Sequence, residues 1–145
     1  MSDQEQGEGM RSYLDGALTV ERLGANDGAK PFRAGDARGA VAWLVRGTPF
    51  SYLHAVEFAA AGDRRGFHAH SDHTEHFYLF SGALRLLARA GQAEVEVDLS
   101  AGDLAVFAPG TGHGLIALGP SFAIAYGNGA DPIHDTAPAD LAGAP

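Results

Sequence analysis

A chain of 145 residues is long enough to bury one core and too short to divide comfortably into two, so one compact domain is expected. With 46% hydrophobic and 19% charged residues it lies far from the disordered extreme, and its apolar stretches, such as 40–45 and 115–118, fall short of the roughly 20 residues of a membrane-spanning helix. A formal charge of −8 argues against nucleic acid as a partner, and the absence of cysteine excludes disulfides and thiolate metal sites, so any metal must be held by His, Asp or Glu.

Residues 1–16 are polar and acidic, with neither the basic start nor the apolar run of a secretory signal, so a cytoplasmic location is the default. They are expected as a solvated arm, disordered or exchanged as a strand with a partner. From 17 to 129 the chain breaks into short runs bounded by Gly, Pro, Asp and Asn: ALTVERL, AVAWLVR, SYLHAVEFAAA, EHFYLF, ALRLLARA, AEVEVDL, DLAVFAP, HGLIAL and SFAIAYG. Turn signals at that frequency predict many short strands. AEVEVDL alternates strictly, Val95, Val97 and Leu99 against Glu94, Glu96 and Asp98, as a half-buried antiparallel strand must. Only ALRLLARA reads equally well as a helix. Without amphipathic helices between the runs, parallel α/β folds are excluded and an all-β sandwich or barrel remains. The segment 130–145, rich in Ala, Pro and Asp, is expected as a loosely attached extension in which His134 has no identifiable partner.

The chemistry concentrates in GDRRGFHAHSDHTEHFYLFSG at 62–82. Side chains two apart on a strand share a face, so His68 and His70 project together and can chelate one ion. Glu75 follows a short connection at the start of the next run, where an antiparallel neighbour would bring its carboxylate beside the imidazoles. On this reading His113, delivered by a turn at Pro109, Gly110 and Gly112, is the fourth ligand. Three imidazole nitrogens and one carboxylate suit a divalent transition metal, Fe, Mn, Zn, Ni or Cu, and leave an octahedral ion two open positions. The plain alternative is a group of polar barrel residues satisfied by one another and by water.

These residues carry a resemblance to a family. Gly62, His68, His70, Glu75 and Gly82 stand at every fixed position of the first motif of the cupins, and Gly102 through His113 resembles the second. The second departs from the pattern at Ala108, where a proline is usual, and at Ala117, where an asparagine is often found; neither is a proposed ligand. The resemblance spans roughly 17–129 and implies a double-stranded β-helix, the cupin or jelly-roll barrel, with a small-molecule substrate and a homodimeric state. DARG at 36–39, PF at 49–50 and RRGFHAH at 64–70 are similar to nucleotide-sugar ketoisomerases and epimerases, some of which use two histidines as acid and base without a metal; those lack the glutamate, and Glu75 favours a metal here.

Three readings follow: a metal-dependent isomerase or epimerase of a nucleotide-linked keto-sugar, an Fe(II) dioxygenase, or a non-catalytic binding or sensing cupin. The catalytic candidates are His73, expected in the loop near the metal and at the surface unless it serves as acid or base, and Tyr126, which packs in the core unless its hydroxyl reaches the cavity. Arg65, beside Arg64, is the candidate clamp for a phosphate or carboxylate. Phe77 and Leu79 share the face of Glu75 and are expected to line the cavity, whereas His76 and Tyr78 point the other way. His54 sits on a strand whose phase is ambiguous, and Trp43 and Phe58 are expected in the core.

Overall fold

The computed structural model describes residues 4–5, 9–25, 31–129 and 135–141, so His134 lies outside the described residues. In chain order the strands are β1 (Gln4–Glu5), β2 (Met10–Tyr13), β3 (Leu18–Arg22), β4 (Phe32–Asp36), β5 (Gly39–Trp43), β6 (Tyr52–Phe58) and β7 (Arg64–Ala69). They continue with β8 (Glu75–Ser81), β9 (Ala83–Ala90), β10 (Ala93–Ser100), β11 (Asp103–Phe107), β12 (Gly112–Ala117), β13 (Ser121–Gly127) and β14 (Ala137–Pro138). No helix of the described residues is long and apolar enough to cross a membrane.

The strands build an all-β barrel from two antiparallel sheets. One has the order β1-β2-β3-β11-β8-β13-β6, the other β10-β9-β12-β7-β14, and β4 and β5 form a separate hairpin. Between the sheets Leu18, Val20, Leu79, Leu84, Leu86, Leu99, Ala105 and Phe107 are almost wholly buried, each supplied by the inward phase of its strand. AEVEVDL behaves as its alternation requires, Val97 and Leu99 being buried and Glu94, Glu96 and Asp98 exposed. ALRLLARA is the strand β9, not a helix, because a partner on each side, β10 and β12, satisfies its backbone.

Three expectations need correction. The described part of the arm expected over 1–16 is built into the sheet: Met10–Tyr13 pairs with β3 of the same chain, and Tyr13 and Leu14 enter the core. Two apolar side chains closing the end of the barrel outweigh the polar composition before them. Trp43 is 54% exposed, on the β4–β5 hairpin, where its ring stacks on Phe32; Phe58 is buried as expected. The extension expected over 130–145 is tied down where it is described, β14 pairing with β7 at Ala69 and His68 and Leu141 being buried.

One irregularity positions the site. Between β7 and β12 the pairing steps from His113↔His68 to Gly114↔Gly66, leaving Phe67 as the extra residue of a β-bulge. Gly66 and Phe67 both have positive φ, 84° and 59°, and for phenylalanine that conformation costs on the order of 1 kcal/mol or more. Its ring lies over Gly114, where a Cβ would stand only 2.8 Å from it. The bulge reverses the strand's phase, so Arg65 and His68, an odd number of residues apart, line the same cavity.

Candidate metal centre

β7 contributes His68, the residues that follow it His70, β8 Glu75 and β12 His113. Their ligating atoms all lie within 4.8 Å of one another. Glu75 Oε2 is 3.2 Å from His70 Nε2 and 3.0 Å from His113 Nε2, and the rings of His68 and His70 have centroids 4.6 Å apart. His70, Glu75 and His113 are buried, each about 5% exposed or less.

The far side of two imidazoles is already committed. His70 Nδ1 donates to the main-chain oxygen of Asp135 at 2.6 Å and His113 Nδ1 to that of Thr111 at 3.1 Å. A carbonyl on Nδ1 leaves Nε2 facing the centre, as the hydrogen bond that orients a metal-binding histidine does. Phe107 stacks on the His113 ring at 4.1 Å and fixes its plane. Buried donors preset toward one point, with a carboxylate among them, fit a divalent transition ion.

The electrostatics agree. Burial alone would raise the Glu75 carboxyl, but hydrogen bonds from His113 and His70 outweigh it and hold the group well below the usual carboxylate range. Burial likewise works against charge on His70, yet Glu75 and the Asp135 carbonyl reverse the balance and raise it. His68, with no such partner, is pushed down to about 4 by burial and by the neighbouring His113 and His70. It stays neutral, the form in which a histidine ligates.

His68 carries a testable pH signature. In the metal-free chain the unfolded imidazole takes up its proton near its ordinary 6.5 and the folded one only near 4. Its stabilising contribution is therefore complete above about pH 6.5 and is lost as the pH falls toward 4, by an amount on the order of 2–3 kcal/mol. Glu75, with its depressed value, extends the loss below about 4.5, while His70 has the opposite sign, its contribution fading as the pH rises through its raised value. Urea denaturation across this range should show a flatter acid limb for His68→Gln than for wild type; parallel curves would count against a neutral His68.

A cavity of about 620 Å³ opens beside the four residues, lined among others by His54, Glu57, Arg65, Phe77, Leu115 and Thr136. Arg65 lines it, its Nε donating to the Glu57 carbonyl at 2.6 Å and its guanidinium lying 5.7 Å from the Phe58 ring centroid. Phe77 lines the cavity. Leu79 does not: roughly 7 Å further along β8, it is already in the packed end of the barrel and wholly buried.

Neither catalytic candidate reaches the cavity. Tyr126 pairs with His76 on the outer face of the sheet, their rings stacked at 4.8 Å, and its hydroxyl donates to the Leu44 carbonyl at 3.0 Å beneath the segment that follows β5. His73 is not at the surface. It is buried, its ring 4.8 Å from that of His70, with Nδ1 2.7 Å from Asp72 Oδ1 and 3.4 Å from Asp135 Oδ2. The loop is folded under by residue 135, a contact 62 positions away that local sequence cannot anticipate. His54, in contrast, faces the cavity, and the apolar residues Val56 and Phe58, two and four positions on, were the signal for its phase.

A family model described as a cupin domain matches residues 55–125. No curated protein matches. Among solved structures, a sugar 3,4-ketoisomerase from Thermoanaerobacterium thermosaccharolyticum in complex with TDP is similar at a TM-score of 0.67 with 10% identity, over 83% of this chain and 87% of that one. A dTDP-6-deoxy-D-glucose-3,5-epimerase from Legionella pneumophila, bound to dTDP-4-keto-L-rhamnose, is similar at 0.68 with 16% identity, over 88% and 74%. A 4-keto-6-deoxy sugar epimerase of novobiocin biosynthesis from Streptomyces spheroides gives 0.63 with 18% identity, over 88% and 73%. At these identities the likeness is one of fold.

Proposed function

We propose, from the match of residues 55–125 to the cupin domain, that this chain is a metal-dependent enzyme that isomerises or epimerises a keto-sugar carried on a nucleotide. The observation that carries the reading is the convergence of His68, His70, Glu75 and His113 at one buried point beside a cavity. The similar solved structures, sugar ketoisomerases and epimerases by name, support the substrate class.

His68, His70, Glu75 and His113 would hold the ion, which when bound supplies a Lewis acid for a carbonyl and for the enediolate formed from it. Arg65 brings a positive, planar donor group to the cavity wall, suited to a phosphate oxygen. Phe77 and Leu115 give the cavity an apolar side that excludes water from the reacting carbons. With His73 and Tyr126 turned elsewhere, His54 is the cavity histidine left to move the proton between neighbouring carbons.

Incubation with TDP-4-keto-6-deoxyglucose in deuterated buffer tests this. The reading expects zinc, manganese or another divalent ion in the purified chain and solvent deuterium appearing at carbons next to the carbonyl. His54→Gln should slow that exchange by roughly 100-fold, within the usual range for a lost general acid or base. Retained iron with oxygen uptake and no exchange would replace the reading with a dioxygenase. Inactivity with a tightly held ligand would replace it with a binding protein.

A further inference from the structure

Asp135 belongs to neither motif segment, yet it touches three consecutive residues of the loop that ends the ligand strand. Its Oδ1 accepts from the Ser71 N–H at 3.1 Å and the Ser71 hydroxyl at 2.6 Å, and its Oδ2 accepts from the Asp72 N–H at 3.0 Å and faces His73 Nδ1 at 3.4 Å. Its main-chain oxygen is the acceptor for His70 Nδ1. Hydrogen bonds with Asp72 and Ser71 hold the Asp135 carboxyl well below the usual range.

The segment that carries it is anchored independently. Ala137 and Pro138 pair with Ala69 and His68, the Ala139 N–H donates to the Phe67 carbonyl at 3.0 Å, Arg89 Nη1 donates to the Asp140 carbonyl at 2.8 Å, and Leu141 is buried. Thr136, next in sequence, reaches the cavity wall, its hydroxyl 3.4 Å from His70 Nδ1. The strap thus lies along the edge of β7 with residue 135 at the point where the strand ends.

We propose that Asp135 is a positioning residue of the metal centre: its carboxylate clasps residues 71–73 so that its own carbonyl meets His70 Nδ1 and the buried His73 ring backs the His70 ring. This rests on the metal reading above. Asp135 touches no reacting atom; it acts by setting the tautomer and plane of His70, as an outer-shell partner does. Without the carboxylate, the Ser71 and Asp72 amides turn to water, the carbonyl drifts from Nδ1, and Nε2 is no longer aimed at the centre.

The test measures zinc affinity of the full chain by competition with a chromophoric chelator, together with the visible spectrum of the cobalt-substituted protein. Asp135→Ala should weaken zinc roughly 10–100-fold and alter the cobalt spectrum, with most of the affinity returned by Asp135→Asn, which keeps an acceptor oxygen. In a His70→Gln background, which has no Nδ1–H to orient, Asp135→Ala should change affinity by less than about twofold. Equal affinities of wild type and Asp135→Ala overturn the proposal, and so does the same loss in both backgrounds, which would mark a merely structural clasp. Should Asp135→Ala not fold, Ser71→Ala, which deletes one of the two bonds to Oδ1, is expected to weaken zinc roughly 3–10-fold, and no loss there overturns it equally. A wild-type chain that does not bind zinc through His70 would instead defeat the metal reading from which the proposal starts.

Discussion

His70→Ala will leave the chain unable to keep a metal ion through dialysis, with zinc affinity at least about 1,000-fold below wild type, well beyond the roughly 100-fold limit typical of outer-shell changes. Elemental analysis and a chelator competition measure it. The loss exceeds one ligand's share because His70 Nε2 serves in both states: it faces the centre as a metal ligand, and in the metal-free chain it is the partner of Glu75 at 3.2 Å. Removing it leaves a carboxylate only 5% exposed with a single imidazole partner, and a buried charge short of partners costs several kcal/mol. His76→Ala is the matched control. It stands next to Glu75 in sequence but on the outer face against Tyr126, so the variant should hold metal as wild type does. Full metal content in His70→Ala would defeat the proposed ligand set.

The second large effect is on stability. Gly82→Ala should lower the free energy of unfolding by about 3–5 kcal/mol, a large part of the roughly 5–15 kcal/mol that holds a domain together. At φ 94° an L side chain is strained, and a Cβ there would meet the Pro120 carbonyl oxygen at 2.5 Å and the Ser121 Cα at 2.7 Å. Both are backbone, and both are pinned, since the Ala83 N–H donates to Ser121 Oγ at 3.1 Å and that hydroxyl lies 2.9 Å from the Gly119 carbonyl. Nothing there can yield. Gly62 has a similar φ, 90°, but open space where its Cβ would be, so Gly62→Ala should cost only about 1 kcal/mol. Chemical denaturation of the two variants distinguishes steric from conformational cost, and equal losses would contradict the packing of the β8–β9 turn against 119–121.

Three of the four clustered residues were legible because they depend on short-range rules, whereas His113, on β12, lies beyond their reach. His68 and His70 are two apart on a strand, Glu75 begins the next strand across a short turn, and strand alternation then forces Phe77 to the same face. Alternation alone does not carry Arg65 to the side of His68: the bulge at Phe67 turns it into the cavity. Tyr126 packs as a buried residue, and its conditional role in the cavity falls away because its hydroxyl is claimed by Leu44, a carbonyl 82 residues away, under a segment whose position over the sheet has no local signal.

By itself the sequence determined that this is an all-β barrel of short strands, that three histidines and one glutamate are its candidate metal-binding cluster, and that thiolate ligands are absent. These follow from alternation, turn residues and composition, which act over a few positions at a time. The tertiary structure alone decided that His73 is buried, that His54 and not Tyr126 faces the cavity, and that Asp135 closes the loop behind His70. Each of those is a contact between segments far apart in the chain, where hydrogen-bond geometry and packing, rather than the character of either residue, select the partner.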